Sequence, residues 1–178
     1  MDGRIRALTG ALLISATTAV AAQAGGPDPR IRSGDAALVT ALEEGAARSE
    51  VFRSLVTALD KTDVVVYLGF DRVLPAGLGG HVGFVAAGGG RRYVRIGILR
   101  RLDAEQQIAI LGHELQHVLE IARAPDVVDS AGVARLYHRI GFRSGGYGDQ
   151  RYDSVAAIDI GYAIARELRT TRPRPGAH

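Results

Sequence analysis

Residues 104–122 read AEQQIAILGHELQHVLEIA, a stretch whose apolar periodicity predicts one continuous helix. Asp103 precedes it as an N-cap residue, and Pro125 ends it. A helix that is apolar around most of its circumference is packed on several sides. The apolar residues of this stretch cover more than a single stripe: Ile108, Leu111, Leu115, Val118, Leu119 and Ile121. We therefore expect this helix at the centre of the domain.

The same helix contains an H-E-x-x-H motif at residues 113–117. Side chains four residues apart lie one above the other on a helix, so His113 and His117 can bind the same metal ion. Glu114 is rotated off that face, close enough to hold a metal-bound water without being a ligand. A metallohydrolase needs this arrangement for its general base. The alternative is a chance motif whose polar side chains are solvated.

Residues 110–119, ILGHELQHVL, resemble the extended consensus of the zincin metallopeptidases. The match departs only at Ile110, where that family favours Val or Thr. The resemblance implies a bound Zn2+ ion with His113 and His117 as ligands, Glu114 as the general base, and a peptide or protein substrate. It also implies a zincin-like fold, with a small sheet packed on the motif helix.

A third protein ligand is expected downstream of the motif, since two His side chains leave part of a tetrahedral site to be filled. Asp153 begins the sequence DSVAA, which resembles the glutamate-helix pattern E-x-x-A-D of small gluzincins. This chain has Asp where those peptidases carry Glu, and Ala157 where they carry Asp. The resemblance implies that Asp153 opens the last helix and binds the metal.

Other third ligands are possible. His138 lies on a separate downstream helix, at a spacing from His117 similar to that of the third ligand in thermolysin-type gluzincins. Glu120 shares the helix of the motif but lies more than a turn beyond His113, so it suits a role in supporting a ligand. The remaining alternatives are Asp126, Asp129 or water alone.

The composition indicates one globular domain. The 178 residues are 47% hydrophobic and 23% charged, enough for a single core and too few for two comfortable domains. The net charge is +3, and the basic residues are scattered Arg with Lys61 as the single Lys. A nucleic-acid interface needs clustered basic residues, so we predict no nucleic-acid partner.

The N-terminus predicts export. Arg4 and Arg6 precede an apolar stretch at residues 7–22, and residues 22–24 form an A-x-A cleavage site. We predict a signal peptide in residues 1–24 and a periplasmic or extracellular mature protein that is not bound to a membrane. An uncleaved anchor is the alternative, although Ala, Ser and Thr make the stretch weakly hydrophobic. The absence of Cys excludes a disulfide scaffold.

The rest of the chain predicts an α+β fold with a small, mostly antiparallel sheet. Residues 25–32 are predicted to be an extended lead-in, residues 33–169 a single zincin-like domain, and residues 170–178 a disordered tail. Apolar periodicity predicts further helices in residues 36–47, 51–59, 127–140 and 152–169. Strands are predicted in residues 64–68, 81–87 and 92–99.

Two segments are candidates for contact with substrate. The strand at residues 92–99 resembles the zincin strand that borders the cleft, where an extended peptide can add by main-chain hydrogen bonds. An ordinary edge strand without a ligand is the alternative. The Gly-rich loop at residues 142–151 suits a flap over the cleft, from which Tyr147 could reach an oxyanion, although a plain connector is the commoner structure.

These observations lead to one functional hypothesis with an alternative of another class. The first is an exported zinc peptidase in which Glu114 activates a zinc-bound water. The alternative is a zincin-like domain that binds metal for structure or for a ligand and cleaves nothing. An interaction module with a fortuitous motif would bind no stoichiometric zinc.

Overall fold

The computed structural model describes residues 29–144 and 151–171 of the chain. The predicted signal peptide, the first residues of the predicted lead-in, Tyr147 and residues 172–178 of the predicted tail lie outside these ranges. The described residues form a mixed α+β fold, as predicted. The elements in chain order are β1 (Ile31–Ser33), α1 (Ala36–Arg48), α2 (Glu50–Leu59), β2 (Val64–Asp71), β3 (Gly80–Gly88), β4 (Arg91–Leu99), α3 (Ala104–Ala122), α4 (Ser130–Ile140), β5 (Phe142–Arg143), β6 (Tyr152–Asp153) and α5 (Val155–Thr170).

The main sheet has four strands in the order β1-β2-β4-β3. β2 pairs in parallel with both β1 and β4, and only β3 and β4 pair antiparallel. The prediction of a mostly antiparallel sheet was therefore wrong. The loop between β2 and β3 carries the chain past the position of β4 to the edge. The β3–β4 hairpin then turns at Gly89 and Gly90, both with positive φ as a tight hairpin turn requires. This turn brings β4 back parallel to β2.

The placement of β4 corrects a second prediction. Its apolar residues Val94, Ile96 and Ile98 are buried, as the alternating pattern predicts. However, β4 lies between β2 and β3, so it is an inner strand that cannot border a cleft. Among the described residues, β3 is the edge strand next to β4, and it contacts α3. Alternation identified the buried face of β4 but could not identify its neighbours.

The motif helix α3 is central, as predicted. Its first turn is closed by a capping box, in which the Asp103 side chain accepts from Gln106 N and the Gln106 side chain accepts from Asp103 N. The helix packs against α1, α2, α5 and the sheet. The fully buried side chains of this core include Leu38, Phe52, Leu59, Val66, Ile96, Ile108, Leu115, Ile164 and Leu168.

Several predicted boundaries were wrong. The segment predicted to be a lead-in contributes β1, where Ile31 pairs with Val66. The helix predicted from residue 127 begins at Ser130, because Asp129 caps it by accepting from Gly132 N. The last helix begins at Val155, because Ser154 is its N-cap. Within residues 29–144 and 151–171, no helix combines the length and apolar character that crossing a membrane requires.

A buried arginine joins the sheet to the end of α3. Arg92 donates two hydrogen bonds of 2.7 Å to the carboxylate of Asp63. It also donates to the carbonyl oxygens of Ile121, Ala122 and Ala124, at 2.8, 2.9 and 2.7 Å. The carbonyl oxygens of Ile121 and Ala124 also accept from the backbone N–H groups of Ala124 and Val127, so the guanidinium adds a donor to carbonyls at the C-terminal end of α3.

We expect Arg92→Met to lower the free energy of unfolding by about 3 kcal/mol, because it removes the hydrogen bonds of the guanidinium to these carbonyls and the charge that pairs with the Asp63 carboxylate. Urea denaturation would measure the change. Arg72→Met is the control, since Arg72 is exposed and should shift stability by less than about 0.5 kcal/mol. Equal stability of the two variants would contradict this interpretation of Arg92.

Candidate metal centre

Close packing between α3 and α5 builds the site. A Cβ at Gly112 would lie 2.1 Å from Cδ1 of Ile164 on α5, a distance that side chains do not tolerate. Across the same contact, a Cβ at Gly161 would lie 3.4 Å from Cβ of His113. The glycine at position 112 therefore lets α5 approach the motif helix. This approach carries Asp153, which lies two residues before α5, toward the two histidines.

The structure brings His113, His117 and Asp153 together. Oδ1 of Asp153 lies 3.4 Å from Nε2 of His113 and 3.4 Å from Nε2 of His117. One potential ligand atom from each residue lies within 4.8 Å of the other two. The two imidazole rings are nearly perpendicular, at 84°. Two imidazole nitrogens and a carboxylate oxygen that converge in this way could hold a metal ion.

The backbone around Asp153 differs from the prediction. Asp153 does not open the last helix but ends β6, where it pairs with Phe142 of β5. Its Oδ1 accepts a 2.7 Å hydrogen bond from the backbone N–H of Ser154, the N-cap of α5. A strand position just outside the helix brings the short Asp side chain close to the histidines. The longer side chain of Glu is therefore not required at this position.

The second nitrogen of His117 is held by buried polar groups. Its Nδ1 lies 2.9 Å from Oε2 of Glu120 and 2.9 Å from the hydroxyl of Tyr137. The Tyr137 hydroxyl also donates to Oε2 of Glu120 at 2.9 Å. A hydrogen bond from Nδ1–H to a carboxylate orients the ring so that Nε2 can bind a metal ion that displaces its proton.

The electrostatics of the cluster favour a cation. Burial would lower the pKa of His117, but hydrogen bonds to Asp153 and Glu120 outweigh it and raise the pKa to about 9. Burial and the nearby His117 lower the pKa of His113. Burial would raise the pKa of Asp153 and of Glu120, yet the hydrogen bond of each with His117 keeps it below its ordinary value. Both carboxyl groups therefore remain ionised beside the histidine nitrogens.

Glu114 lies in the same cavity as the three potential ligands. This cavity, which we call the metal cavity, has a volume of about 260 Å3. Its lining includes His113, Glu114, His117 and Asp153. Glu114 is only 5% exposed, and this burial raises its pKa to about 7. A carboxyl group with a pKa near neutrality can both accept and donate a proton at physiological pH.

No protein-family model, curated protein or solved structure matches this chain.

A second concavity opens beside the first. It has a volume of about 550 Å3 and shares His113 and Leu78 with the metal cavity. Its other walls come mainly from α3, α5 and the loop before β3, and they are largely apolar: Gly79, Leu99, Leu102, Ala109, Ile110, Ile158, Gly161 and Ala165. This apolar groove and the potential ligands meet at His113.

The other predicted ligands lie elsewhere. His138 is exposed, and its Nε2 lies 2.9 Å from the hydroxyl of Tyr152. Asp126 lies 3.5 Å from Arg139 at the surface, and Asp129 caps α4. Glu120 contacts His117 and does not join the three converging atoms, which fits a supporting role.

Sequence reasoning missed the parts that Tyr137 and Ser154 play. Tyr137 lies in the helix predicted at residues 127–140 and was not predicted to contact the site, yet its hydroxyl contacts both His117 and Glu120. Ser154 follows Asp153 in DSVAA and was assigned no role, yet its hydroxyl donates to Oε1 of Glu120 at 2.6 Å. The cap position of Ser154 could have been found from the Ser that precedes an apolar run. No local pattern in the sequence indicates which residues the Tyr137 hydroxyl contacts.

Proposed function

We propose that this chain is an exported zinc-dependent metallopeptidase in which His113, His117 and Asp153 bind the metal and Glu114 is the general base. The observation that carries the proposal is the convergence of these three ligand atoms in a cavity that also contains a buried carboxyl group. A purely structural site would not need that carboxyl group beside it.

The donor set fits a catalytic zinc ion. Two imidazole nitrogens and one carboxylate oxygen are a typical set for catalytic zinc, which keeps one coordination position for water. The carboxylate of Glu120 behind His117 is a typical partner of a zinc-binding histidine. When bound, zinc lowers the pKa of its water toward neutrality and polarises the carbonyl group of the substrate.

Glu114 supplies the proton transfers. In its ionised form, the carboxylate accepts the proton that the attacking water loses. The protonated carboxyl group then donates this proton to the amine that leaves the cleaved peptide. Burial raises the pKa of Glu114 to about 7 without metal, and a bound cation would lower it, which favours the ionised form that accepts the proton. These roles make Glu114 the catalytic residue of the proposed reaction.

The surface around the site suits an extended peptide. β3 is an edge strand among the described residues, and its first residues Gly80, His81 and Val82 line the metal cavity. A peptide could pair with this edge by main-chain hydrogen bonds and pass across the ligands. The apolar groove that begins at His113 would then accept an apolar side chain of the peptide.

The test is the hydrolysis of unfolded casein. Metal-loaded protein should cleave it, whereas chelator-treated protein and a Glu114→Ala variant should not. If metal-loaded wild-type and Glu114→Ala proteins are equally inactive, the peptidase proposal is wrong. The chain would then be a domain that binds metal without cleaving peptides.

Export is tested separately. We propose that residues 1–24 are removed, so the intact mass of exported protein should correspond to a chain that begins at Gly25. A mass that includes residues 1–24 would favour an uncleaved form.

Gly80 allows β3 to approach Glu114. A Cβ at this position would lie 2.9 Å from Oε1 of Glu114 and 2.8 Å from Cγ2 of Ile110. We expect Gly80→Ala to move the Glu114 carboxyl group and lower kcat/KM for peptide hydrolysis by about 10-fold to 100-fold, while bound zinc is retained. Steady-state kinetics together with metal analysis would measure both effects.

Gly83→Ala is the matched control for Gly80→Ala. Gly83 lies on the same strand, and a Cβ there would meet nothing within 4 Å. Its kinetics should match those of the wild type. A Gly80→Ala protein with wild-type kcat/KM would show that the position of Glu114 does not depend on this contact.

A further inference from the structure

We propose that Glu120 is a positioning residue that holds two of the three metal ligands, His117 directly and Asp153 through Ser154. This inference rests on the proposed metal site but not on peptide hydrolysis. Glu120 is buried, and its two carboxylate oxygens point to different partners. Oε2 contacts His117, and Oε1 accepts from the hydroxyl of Ser154.

Oε2 of Glu120 orients the ring of His117. Nδ1 of His117 lies 2.9 Å from Oε2 of Glu120, one helical turn further along α3. The Tyr137 hydroxyl, from α4, donates to the same oxygen at 2.9 Å. The carboxylate therefore accepts from two donors at Oε2, which fixes its plane. A fixed carboxylate in turn fixes the ring that places Nε2 in the metal cavity.

Oε1 of Glu120 is linked to Asp153 by hydrogen bonds through Ser154. The Ser154 hydroxyl donates to Oε1 of Glu120 at 2.6 Å and accepts from the backbone N–H of Ala157 at 3.1 Å. The backbone N–H of Ser154 donates to Oδ1 of Asp153 at 2.7 Å. This Oδ1 is the atom that faces both histidines. Anchoring Ser154 to Glu120 therefore anchors the ligand atom of Asp153 and the start of α5 together.

The chain contains a matched control for Ser154. Ser49 is also a buried N-cap residue, at the start of α2, and its hydroxyl accepts from Phe52 N at 3.0 Å. It donates to Oε2 of Glu167 at 2.6 Å. Ser49 and Glu167 thus repeat the local structure of Ser154 and Glu120, but their side chains hydrogen-bond to each other and to the backbone of α2 rather than to a potential metal ligand. A merely structural role for Ser154 predicts equal behaviour of the two serines.

The experiment compares zinc affinity with stability in four variants of the full chain: Ser154→Ala, Glu120→Gln, Ser49→Ala and Glu167→Gln. Competition with a chromophoric chelator measures the Kd for zinc, and urea denaturation in excess chelator measures stability without metal. We expect Ser154→Ala and Glu120→Gln to weaken zinc binding by about 10-fold to 100-fold. Ser49→Ala and Glu167→Gln should leave the Kd within about twofold, although Ser49→Ala should lower the urea midpoint as Ser154→Ala does.

Coupling between the two residues is the sharper measurement. Because Ser154 acts through Glu120, Ser154→Ala should weaken zinc binding less in a Glu120→Gln background than in the wild-type background. If Ser154→Ala does not fold, Tyr137→Phe replaces it, since this change removes one donor to Glu120 and should also weaken zinc binding.

Three outcomes would overturn the positioning role: an unchanged Kd in Glu120→Gln, equal losses of affinity in Ser154→Ala and Ser49→Ala, or no zinc binding by the wild type. Failure of the proposed hydrolysis is distinguishable from all three. A wild-type protein that binds zinc without cleaving casein, while the variants lose affinity as expected, would remove the peptidase proposal and leave this inference in place.

Discussion

His117→Ala is expected to abolish the retention of zinc. The change removes one of three protein ligands, Nε2 of His117, from the converging group. If zinc binding contributes about 12 kcal/mol and the three protein ligands share it equally, the loss of one ligand costs about 4 kcal/mol. This cost raises the Kd for zinc about a thousandfold. The loss should be larger still, because Glu120 and Tyr137 lose the ring that they contact. His113→Ala should show a similar loss, without the second effect.

Metal analysis after dialysis, followed by chelator competition, would measure these losses. His138→Ala is the control, because its ring is exposed and contacts Tyr152 outside the converging group. It should retain one zinc ion per chain. Asp153→Ala should weaken zinc binding far more than His138→Ala or Glu120→Ala. The reverse order, with His138→Ala the most damaging, would overturn the ligand assignment.

The sequence was sufficient for the motif helix because its signals are local. The bounds of α3 agree with the predicted residues 104–122, and Asp103 caps it. The spacing of four residues places His113 and His117 on one helical face, which holds in any fold that keeps the helix. The burial of Val94, Ile96 and Ile98 was also predicted, because alternation depends only on the strand itself.

Features that depend on distant segments were not predictable in the same way. The direction of β4 relative to β2 follows from where the β3–β4 hairpin lies, and no residue of β4 encodes this. Asp153 was placed on a helix because its neighbours suggested a helical pattern, but Ser154 caps the helix after it. Tyr137 reaches Glu120 from α4 across 17 positions of sequence, a contact that only the packing of the helices creates.

Glu114→Gln is expected to keep its zinc and lose its activity. The amide has nearly the shape of the carboxylate, and Glu114 is not among the three converging ligands. The amide of Gln cannot accept a proton from water, so the rate of peptide hydrolysis should fall by about 100-fold to 10,000-fold. The Kd for zinc should stay within about threefold of the wild-type value. Measuring both on the same preparation separates this effect from that of His117→Ala.

The stability of Glu114→Gln supplies an independent check. Burial makes the ionised form of Glu114 costly, which is why its pKa rises to about 7. A neutral amide avoids that cost, so the variant should be at least as stable as the wild type at pH 8 in urea denaturation with excess chelator, where no metal is bound. Glu43→Gln, an exposed control on α1, should change neither stability nor rate. A fully active Glu114→Gln protein would refute the mechanism, because no proton acceptor would then be needed at this position.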